Sequence, residues 1–310
     1  MKPVRFSLRQ LEHFVAIAEA GTLSAAAERL RVSQPGLSQS LTELERALGA
    51  RLAVRRKAHG VTLTPSGRQV LGEARTLLRR AEDLVSIAAG GQDLVGTLTV
   101  GCYVTLAPTA LPALLEEFSD LHPGVHVDFA EDTQDVLQRR LMNGELDLAI
   151  LYDMEIEPEL ERAVIDIRRP YVLLPAGHRL ADAPTVALSG LAEEPQVLLD
   201  APPSSQNTLA IFKRFGITPV IKYRPTSFEL TRALVGSGMG YALLVQRPAN
   251  DRTYDGSKVV IKEIAEPVDD AHVLLAWSPA TGLNRRAEAF LAMCTDRHAA
   301  RTTGPAGTNQ

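Results

Sequence analysis

The sequence is poor in cysteine: only Cys102 and Cys294 occur among its 310 residues. Two thiols cannot build the disulfide framework on which small secreted domains depend, and a reducing compartment is therefore expected. We interpret both thiols as core residues. No basic residue stands next to Cys102 to favour its thiolate, although its position near a predicted strand end leaves a redox-sensing role open.

Long apolar runs are also missing. No uncharged apolar stretch reaches the roughly 20 residues that span a bilayer, and residues 1–10 lack the apolar core of a signal peptide. The sequence therefore predicts a cytoplasmic protein.

Motifs for catalysis and metal binding are absent as well. The sequence has no glycine-rich phosphate loop, no nucleophile elbow and no Cys-x-x-Cys pair. His122 and His126 are separated by Pro123 and Gly124, which prevents the two imidazoles from sharing a helix face. We therefore expect no metal, no cofactor and no enzymatic activity.

Charge is distributed unevenly along the chain. The net charge is −4, yet residues 1–90 carry 14 Lys and Arg against 8 Asp and Glu, a balance of +6. The remainder has the opposite balance, −10. Because the chain is too long for one ordinary domain, we expect a basic module suited to a polyanion beside an acidic one.

Three short helices are predicted near the N-terminus. Apolar residues recur at helical spacing over residues 8–18, and Gly21 follows where a C-terminal cap belongs. An alanine-rich helix over residues 24–30 and a short turn come next. Ser33 is a good N-cap for a third helix, whose leucines repeat in steps of four and three up to Gly49. This pattern, with polar first turns on the third helix, is typical of a helix-turn-helix.

A basic wing follows the third helix. The turn Ala58-His59-Gly60 separates two short extended runs, and basic residues precede it: Arg51, Arg55, Arg56 and Lys57. A basic hairpin beside a polar helix suits phosphate binding. Helix pairs with short turns are also common in bundles, and a polar helix face can simply be solvated. The wing argues against both of these plainer interpretations.

A long helix is predicted from Ser66 to about Ala89, with a hinge at residues 90–93. Its apolar positions alternate in steps of four and three: Val70, Ala74, Leu77, Ala81, Leu84 and Ala88. At 1.5 Å per residue the helix would extend roughly 35 Å. Such a stripe suits a seam between two chains, but a helix packed on its own domain would show a similar pattern.

The remainder of the chain alternates strand-like and helix-like runs, which predicts parallel sheets covered by helices. Two similar sets of runs suggest two lobes. The last strand, residues 273–277, and the last helix, residues 283–298, are expected to return to the first lobe. The chain would then cross between the lobes near Arg168 and near Glu266.

Several segments resemble the LysR-type transcriptional regulators. The match to their DNA-binding domain includes Gly21-Thr22-Leu23-Ser24-Ala25-Ala26-Ala27, Ser33-Gln34-Pro35-Gly36-Leu37-Ser38-Gln39-Ser40-Leu41 and Leu63-Thr64-Pro65-Ser66-Gly67. The match to their effector domain, itself similar to periplasmic binding proteins, includes Leu141-Met142-Asn143-Gly144-Glu145-Leu146-Asp147-Leu148-Ala149-Ile150 and Val235-Gly236-Ser237-Gly238-Met239-Gly240.

The resemblance implies an α/β fold overall with an N-terminal all-α winged helix-turn-helix. The expected division is a DNA-binding domain over residues 1–65, a linker and dimerisation helix over 66–90, an effector-binding domain over 91–300 and a disordered tail over 301–310. Within the effector-binding domain, lobe I would comprise about 91–168 and 267–300, and lobe II about 169–266.

The resemblance also implies which residues meet DNA. Gln34, Pro35, Ser38 and Gln39 would face the major groove, and Arg55 and Arg56 would meet the backbone or the minor groove. Ser33 and Thr42 belong to the same predicted surface.

Effector-binding residues follow from topology, because ligands of open α/β sheets lie beyond the carboxyl ends of the strands, near helix N-termini. Polar residues at such positions are Tyr103, Thr105, Asp132, Thr133, Ser204, Ser205, Asn207, Thr226 and Ser227. Each alone is more often an ordinary helix N-cap. Together they predict a cleft for a small organic anion, with Asp132 as a reason for caution.

Three functions stay open at this point. The favoured one is a ligand-responsive regulator with promoter DNA, a small-molecule effector and a homodimer or homotetramer as partners; RNA polymerase is a further partner that the resemblance leaves open. An architectural DNA-binding protein, whose C-terminal domain only oligomerises, is the alternative. An enzyme with an appended DNA-binding domain is disfavoured by the missing catalytic motifs.

Overall fold

The computed structural model describes residues 4–56, 60–88 and 94–303. Its N-terminal unit is a winged helix-turn-helix, as predicted. It consists of α1 (Leu8–Ala20), α2 (Leu23–Leu30), α3 (Gln34–Leu48), β1 (Ala53–Arg56) and β2 (Gly60–Leu63), with the two strands paired antiparallel. Residues 57–59 of the predicted wing turn lie outside the described residues.

Local capping explains where these helices begin and end. Ser7 and Gln10 form a capping box at the start of α1, and the Ser33 hydroxyl accepts the Gly36 N–H at the start of α3. Gly21 and Gly49 end α1 and α3 in the left-handed region, at φ 66° and 68°.

The linker helix α4 (Pro65–Ala88) begins within the winged-helix unit. Leu71 and Ala74 are buried in the same apolar cluster as Phe14 of α1. The start of α4 also lies very close to the preceding loop, since a Cβ on Gly67 would come within 1.9 Å of the Leu52 carbonyl oxygen. The first turns of α4 are therefore part of the winged-helix unit.

Lobe I contains a five-stranded sheet with strand order β4-β3-β5-β13-β6. Its elements are β3 (Gly96–Tyr103), α5 (Ala107–Leu121), β4 (Val125–Asp132), α6 (Gln134–Met142), β5 (Leu148–Tyr152), β6 (Glu161–Arg168), β13 (Ala271–Trp277) and α9 (Arg285–Thr303). The first three strands are parallel, but β13 runs antiparallel to both of its neighbours. The sheet is therefore mixed and not parallel throughout, because the returning strand enters from the other lobe.

Lobe II has a four-stranded sheet, in the order β11-β7-β12-β8, and a separate parallel pair of β9 and β10. Its elements are β7 (Tyr171–Pro175), β8 (Thr185–Val186), β9 (Pro195–Val197), α7 (Ser204–Arg214), β10 (Val220–Tyr223), α8 (Phe228–Gly236), β11 (Ala242–Leu244) and β12 (Val259–Ile264). Strands β11 and β12 both pair antiparallel with β7, so this sheet is also mixed.

The chain crosses between the lobes twice, from β6 to β7 and from β12 to β13, near the two positions predicted. Helix α9 continues to Thr303, so it includes the first residues of the predicted disordered tail; residues 304–310 lie outside the described residues. Within the described ranges, no helix combines the length and apolar character needed to cross a bilayer.

Candidate DNA-binding surface and interlobe site

Helix α3 buries one face and exposes the other. Leu37, Leu41 and Leu44 are buried against the other helices of the unit. The opposite face carries the predicted DNA-binding residues, of which Gln34, Pro35, Gln39 and Thr42 are exposed and Ser38 is half-buried. The apolar spacing of the helix thus turns the polar residues to solvent together.

Three of the predicted DNA-binding residues also make hydrogen bonds within the unit. The Ser33 side chain caps α3 through the Gly36 N–H at 3.2 Å. The Thr42 hydroxyl donates to the Ser38 carbonyl oxygen at 3.0 Å, a bond within the helix. Gln34 accepts a 3.3 Å hydrogen bond from the Ser24 hydroxyl of α2 through its side-chain oxygen.

Glu43 connects α3 to α1 and was not predicted. One carboxylate oxygen accepts from the Gln39 amide at 3.0 Å, and the other accepts from the Gln10 amide at 3.1 Å. Its position one turn after Gln39 was the available signal, because residues four apart in a helix are neighbours on its surface.

The wing is anchored to the helices by backbone contacts. The Glu45 carboxylate accepts the N–H groups of Leu52 and Ala53, at 2.8 and 3.1 Å. On the other strand, the Val61 N–H donates to the Gly21 carbonyl oxygen at 2.7 Å. Arg55 and Arg56 lie in β1, opposite Val61 and Gly60 in the register. The hairpin that carries the two arginines is therefore fixed beside the helix-turn-helix.

The linker helix is fastened to lobe I by ion pairs that were not predicted. Arg79 Nε lies 3.1 Å from the Asp147 carboxylate, which is 3% exposed. Arg286 of α9, 1% exposed, donates to Asp83 of α4 at 2.9 Å. Burial lowers the pKa of Arg79, and the charge of Asp147 opposes that shift. Charged residues between the apolar positions of α4 were the signal for this contact.

Arg75 extends the same contact to the winged-helix unit. Its guanidinium lies 3.2 Å from Glu19 of α1 and 3.7 Å from Glu145 of lobe I. One arginine thus contacts the winged-helix unit and lobe I of the same chain.

Tyr103, at the end of β3, crosses between the lobes. Its phenol donates to the Ala201 carbonyl oxygen of lobe II at 2.8 Å and lies 3.2 Å from the Ser204 hydroxyl, which then acts as donor. Burial raises the pKa of Tyr103. Its ring packs edge-on against Tyr152, with centroids 5.8 Å apart. The structure thus brings together two predicted residues, Tyr103 and Ser204, from opposite lobes.

Gln246 is the centre of a second interlobe network and was not predicted. Its side-chain oxygen accepts from Thr109 at 2.7 Å and from Arg168 at 2.6 Å, and its amide nitrogen donates to the Tyr152 phenol. Its own carbonyl accepts from Tyr171 at 2.5 Å. No sequence pattern marked Gln246, because its partners come from distant parts of the chain.

Thr105 lies between these two networks and is 5% exposed. Burial raises the pKa of the Tyr103 and Tyr152 phenols. The nearby Thr105 hydroxyl lowers the pKa of both, but by less than burial raises it. Among the described residues, however, no group is in hydrogen-bond geometry with that hydroxyl. Thr105 and Ser204 both line a small cavity of about 20 Å³.

A larger cleft of about 840 Å³ opens beside this centre. Thr105 contributes to it from lobe I, and Thr226 and Ser227 contribute from lobe II. The cleft also contains Arg232 and Arg247, together with two carboxylates and the rings of Phe228 and Tyr254. Apolar walls with a few charged groups are typical of small-molecule sites.

The two cleft arginines differ in solvent exposure. Arg232 is 4% exposed and is held by Glu229 at 2.7 Å. Arg247 is 40% exposed; it pairs with Glu263 at 2.5 Å and stacks over the Tyr171 ring, 5.0 Å from its centroid. Arg247 is therefore the cation more accessible to an incoming ligand.

Other predicted effector residues lie elsewhere. The Thr133 hydroxyl donates to Asp135 at 2.6 Å, and the Asp132 carboxylate accepts the Thr133 N–H at 2.8 Å. Ser205 is buried within α7 and donates to Gln206. The described residues that line the large cleft do not include Asp132, Thr133, Ser205 or Asn207. Ser227 does line it, and it also caps α8 through the Leu230 N–H at 3.4 Å.

Both thiols are buried. Burial raises the pKa of Cys102, and it raises the pKa of Cys294 to about 12. A nearby carboxylate adds to the shift in each case. These surroundings favour the neutral thiol, which is a poor nucleophile, and so favour the interpretation as core residues.

Comparisons with known proteins agree with this arrangement. Residues 8–68 match the family described as bacterial regulatory helix-turn-helix protein, lysR family, and residues 91–299 match the LysR substrate binding domain. The uncharacterized HTH-type transcriptional regulator YnfL of Escherichia coli is 32% identical, over 88% of this chain and 93% of its own length.

Solved structures show the same likeness. HinK, a LysR family transcriptional regulator from Pseudomonas aeruginosa, is 35% identical, with a TM-score of 0.64 over 94% of this chain and 99% of its own. A variant of full-length OxyR from the same organism is 26% identical, with a TM-score of 0.75 over 93% of this chain and 97% of its own.

Proposed function

Because the chain belongs to the LysR family of bacterial transcriptional regulators, we propose that its response to a small organic anion in the interlobe cleft controls its binding to promoter DNA. The observation that carries this proposal is the cleft of about 840 Å³ with Arg232 and Arg247 between two lobes. The cleft belongs to the same chain as an exposed recognition helix.

The DNA-binding part of the proposal rests on α3 and the wing. Gln34, Ser38 and Gln39 would meet base edges in the major groove, with Pro35 and Thr42 beside them. Ser33 would act through the helix cap that it forms. Arg55 and Arg56 would contact phosphates, since the hairpin that carries them is fixed next to α3.

The effector part rests on the charges of the cleft. Arg247 is partly exposed and would pair with an anionic group. Thr105, Thr226 and Ser227 line the same cleft and would contribute hydroxyl contacts from both lobes. A ligand that touches both lobes favours the closed arrangement, by no more than its difference in affinity for the closed and open forms.

The linker helix supports a homodimer in this proposal. Leu77 and Leu84 are 42% and 68% exposed and lie seven residues apart on α4. Packing of this face against the same face of a second copy would bury both leucines, as in a coiled-coil seam. A homotetramer would need a further contact. We place the protein in the cytoplasm and assign it no catalytic activity.

Titration of DNA binding with candidate anions tests the proposal. Full-length protein would be incubated with a DNA duplex that it selects from a randomised library, and with a panel of small carboxylates. We expect at least one anion to change the DNA affinity and to raise the unfolding temperature, because ligand binding stabilises the folded state. DNA binding that ignores every anion tested would favour the architectural alternative.

A further inference from the structure

We propose that lobe I contains a second ligand site, for a short-chain carboxylate such as acetate, separate from the interlobe cleft. The site is a cavity of about 60 Å³ bounded by α5, β6, β13 and α9. Of the described residues that line it, only Thr109 also lines the interlobe cleft. The inference does not depend on the proposed response of DNA binding to an effector.

The volume of the cavity limits the size of its ligand. One water molecule needs roughly 10–15 Å³ of such space, so a cavity of about 60 Å³ accommodates a few waters or an anion of similar total size. Acetate is of that size, whereas a sugar acid such as gluconate is much larger.

Arginines outnumber carboxylates around the cavity. Three arginines line it, Arg168, Arg297 and Arg301. Asp166 lies 2.9 Å from Arg168 Nε and 3.8 Å from Arg301. Glu117 pairs with Arg297. Among the described residues, these two carboxylates are the ones that pair with the three guanidinium groups, so one positive charge is in excess. A monovalent anion in the cavity would balance it.

Arg168 is already oriented for such a contact. Its Nη1 donates to Gln246 at 2.6 Å, and its Nε donates to Asp166 at 2.9 Å. Its hydrogen bonds to described residues use these two nitrogens, which leaves Nη2 for an anion. The side chain is 19% exposed, so water solvates its charge only in part. A guanidinium that is held in advance loses little side-chain freedom when it binds a carboxylate.

The rest of the lining suits an organic anion. Apolar side chains form much of the wall: Ala110, Ala113, Leu114, Ile165 and Val273. A carboxylate with a short alkyl group can pair with an arginine and place its methyl group against this wall. Cys294 also lines the cavity, and burial raises the pKa of its thiol to about 12. The thiol is therefore neutral and does not repel an anion.

The test compares acetate with acetamide, which has nearly the same shape and no charge, in thermal unfolding of the full-length chain. Sodium gluconate is added to the acetamide samples so that both solutions have the same ionic strength. Ala113→Leu adds apolar volume to the cavity without a change of charge. Arg247→Gln alters the interlobe cleft and leaves the cavity of lobe I intact.

A second pair of variants tests the charge of the cavity. Arg301→Gln removes one of the three arginines that line it. Arg214→Gln is the matched control, because Arg214 and Arg301 are 52% and 54% exposed and each pairs with an aspartate. Arg214 does not belong to the described lining of the cavity.

In the wild type we expect acetate at about 50 mM to raise the unfolding temperature by about 2 °C or more relative to acetamide, because a bound ligand stabilises the folded state. Arg247→Gln and Arg214→Gln should keep this difference. Ala113→Leu should abolish it. Arg301→Gln should reduce it by about half or more, since the excess positive charge is lost.

Other outcomes overturn the inference. If acetate and acetamide have equal effects on the wild type, the cavity holds water only. If the difference persists in Ala113→Leu and disappears in Arg247→Gln, the anion binds in the interlobe cleft, which refutes the second site and leaves the proposed function standing. If Ala113→Leu unfolds, the charge pair decides, and equal acetate effects in Arg301→Gln and Arg214→Gln refute the site. A DNA affinity that no anion changes would contradict the proposed function alone.

Discussion

The buried hydroxyl of Thr105 offers a test in which stability and ligand binding change in opposite directions. Thr105→Val replaces that hydroxyl with a methyl group of similar size. The side chain is 5% exposed, and among the described residues its hydroxyl has no hydrogen-bond partner. The nearest polar groups are the phenols of Tyr103 and Tyr152, and neither meets hydrogen-bond geometry with it, so the substitution removes a desolvated polar group and no well-formed hydrogen bond.

The magnitude follows from that burial. A buried polar group without a partner costs about 1–3 kcal/mol of folding free energy, so we expect the valine variant to be more stable by about 1 kcal/mol. For a domain of this size such a gain raises the unfolding temperature by about 2–4 °C. Loss of a hydroxyl contact to an effector should weaken effector binding by about 0.5–1.5 kcal/mol.

Thermal unfolding of the full-length chain measures the first effect, and titration with an anion that the wild type binds measures the second. Thr109→Val is the matched control, because the Thr109 hydroxyl donates to Gln246 at 2.7 Å. That variant should lose about 1 kcal/mol of stability. If Thr105→Val is destabilised as Thr109→Val is, the Thr105 hydroxyl has a partner and the reasoning is wrong.

Three further predictions address other parts of the molecule. Replacing Arg55 and Arg56 together by alanine should weaken binding to all DNA sequences and lower the slope of log affinity against log salt by about 0.9 per lost phosphate contact; an unaltered slope would show that neither arginine meets a phosphate. Leu77→Glu should lower dimer affinity in sedimentation experiments, because it places a charge in the proposed seam; an unaltered assembly would leave α4 packed within its own chain. Cys102 and Cys294 should resist a thiol-disulfide exchange reagent at pH 8 in the folded protein and react after denaturation, since burial raises the pKa of both thiols; fast labelling of the folded protein would contradict this.

Sequence reasoning succeeded where the signals are local. The caps at Ser33, Gly21 and Gly49 depend on the conformation of a few neighbouring residues, and the structure has all three. The interlobe crossovers were predicted from the order of strand-like runs, and in the structure the chain passes between the sheets from β6 to β7 and from β12 to β13. Strands β6 and β12 were missed because charged residues interrupt their apolar pattern: Glu161-Arg162-Ala163-Val164-Ile165-Asp166-Ile167-Arg168 and Val259-Val260-Ile261-Lys262-Glu263-Ile264.

The site was harder to predict because its contacts are distant in sequence. Gln246 meets Thr109 across 137 positions, and no spacing rule connects such residues. Position at a strand end does not by itself identify a residue that lines the cleft. Thr105 and Thr133 both follow a strand of lobe I, yet Thr105 lines the cleft while Thr133 bonds to Asp135 of its own helix. Whether a strand-end residue faces the other lobe depends on how the lobes meet.

The ion pairs along α4 restrict how an effector signal can travel. Arg75, Arg79 and Arg286 join the winged helix, the linker helix and lobe I of one chain, so these parts have few independent degrees of freedom. Lobe II is joined to lobe I by the two crossovers and by contacts that include those of Tyr103 and Gln246. A rotation of lobe II would leave the ion pairs along α4 intact. A closing lobe II would then leave its own winged helix unmoved relative to lobe I. The separation of two winged helices on DNA would change only when the lobes I of different copies shift against one another.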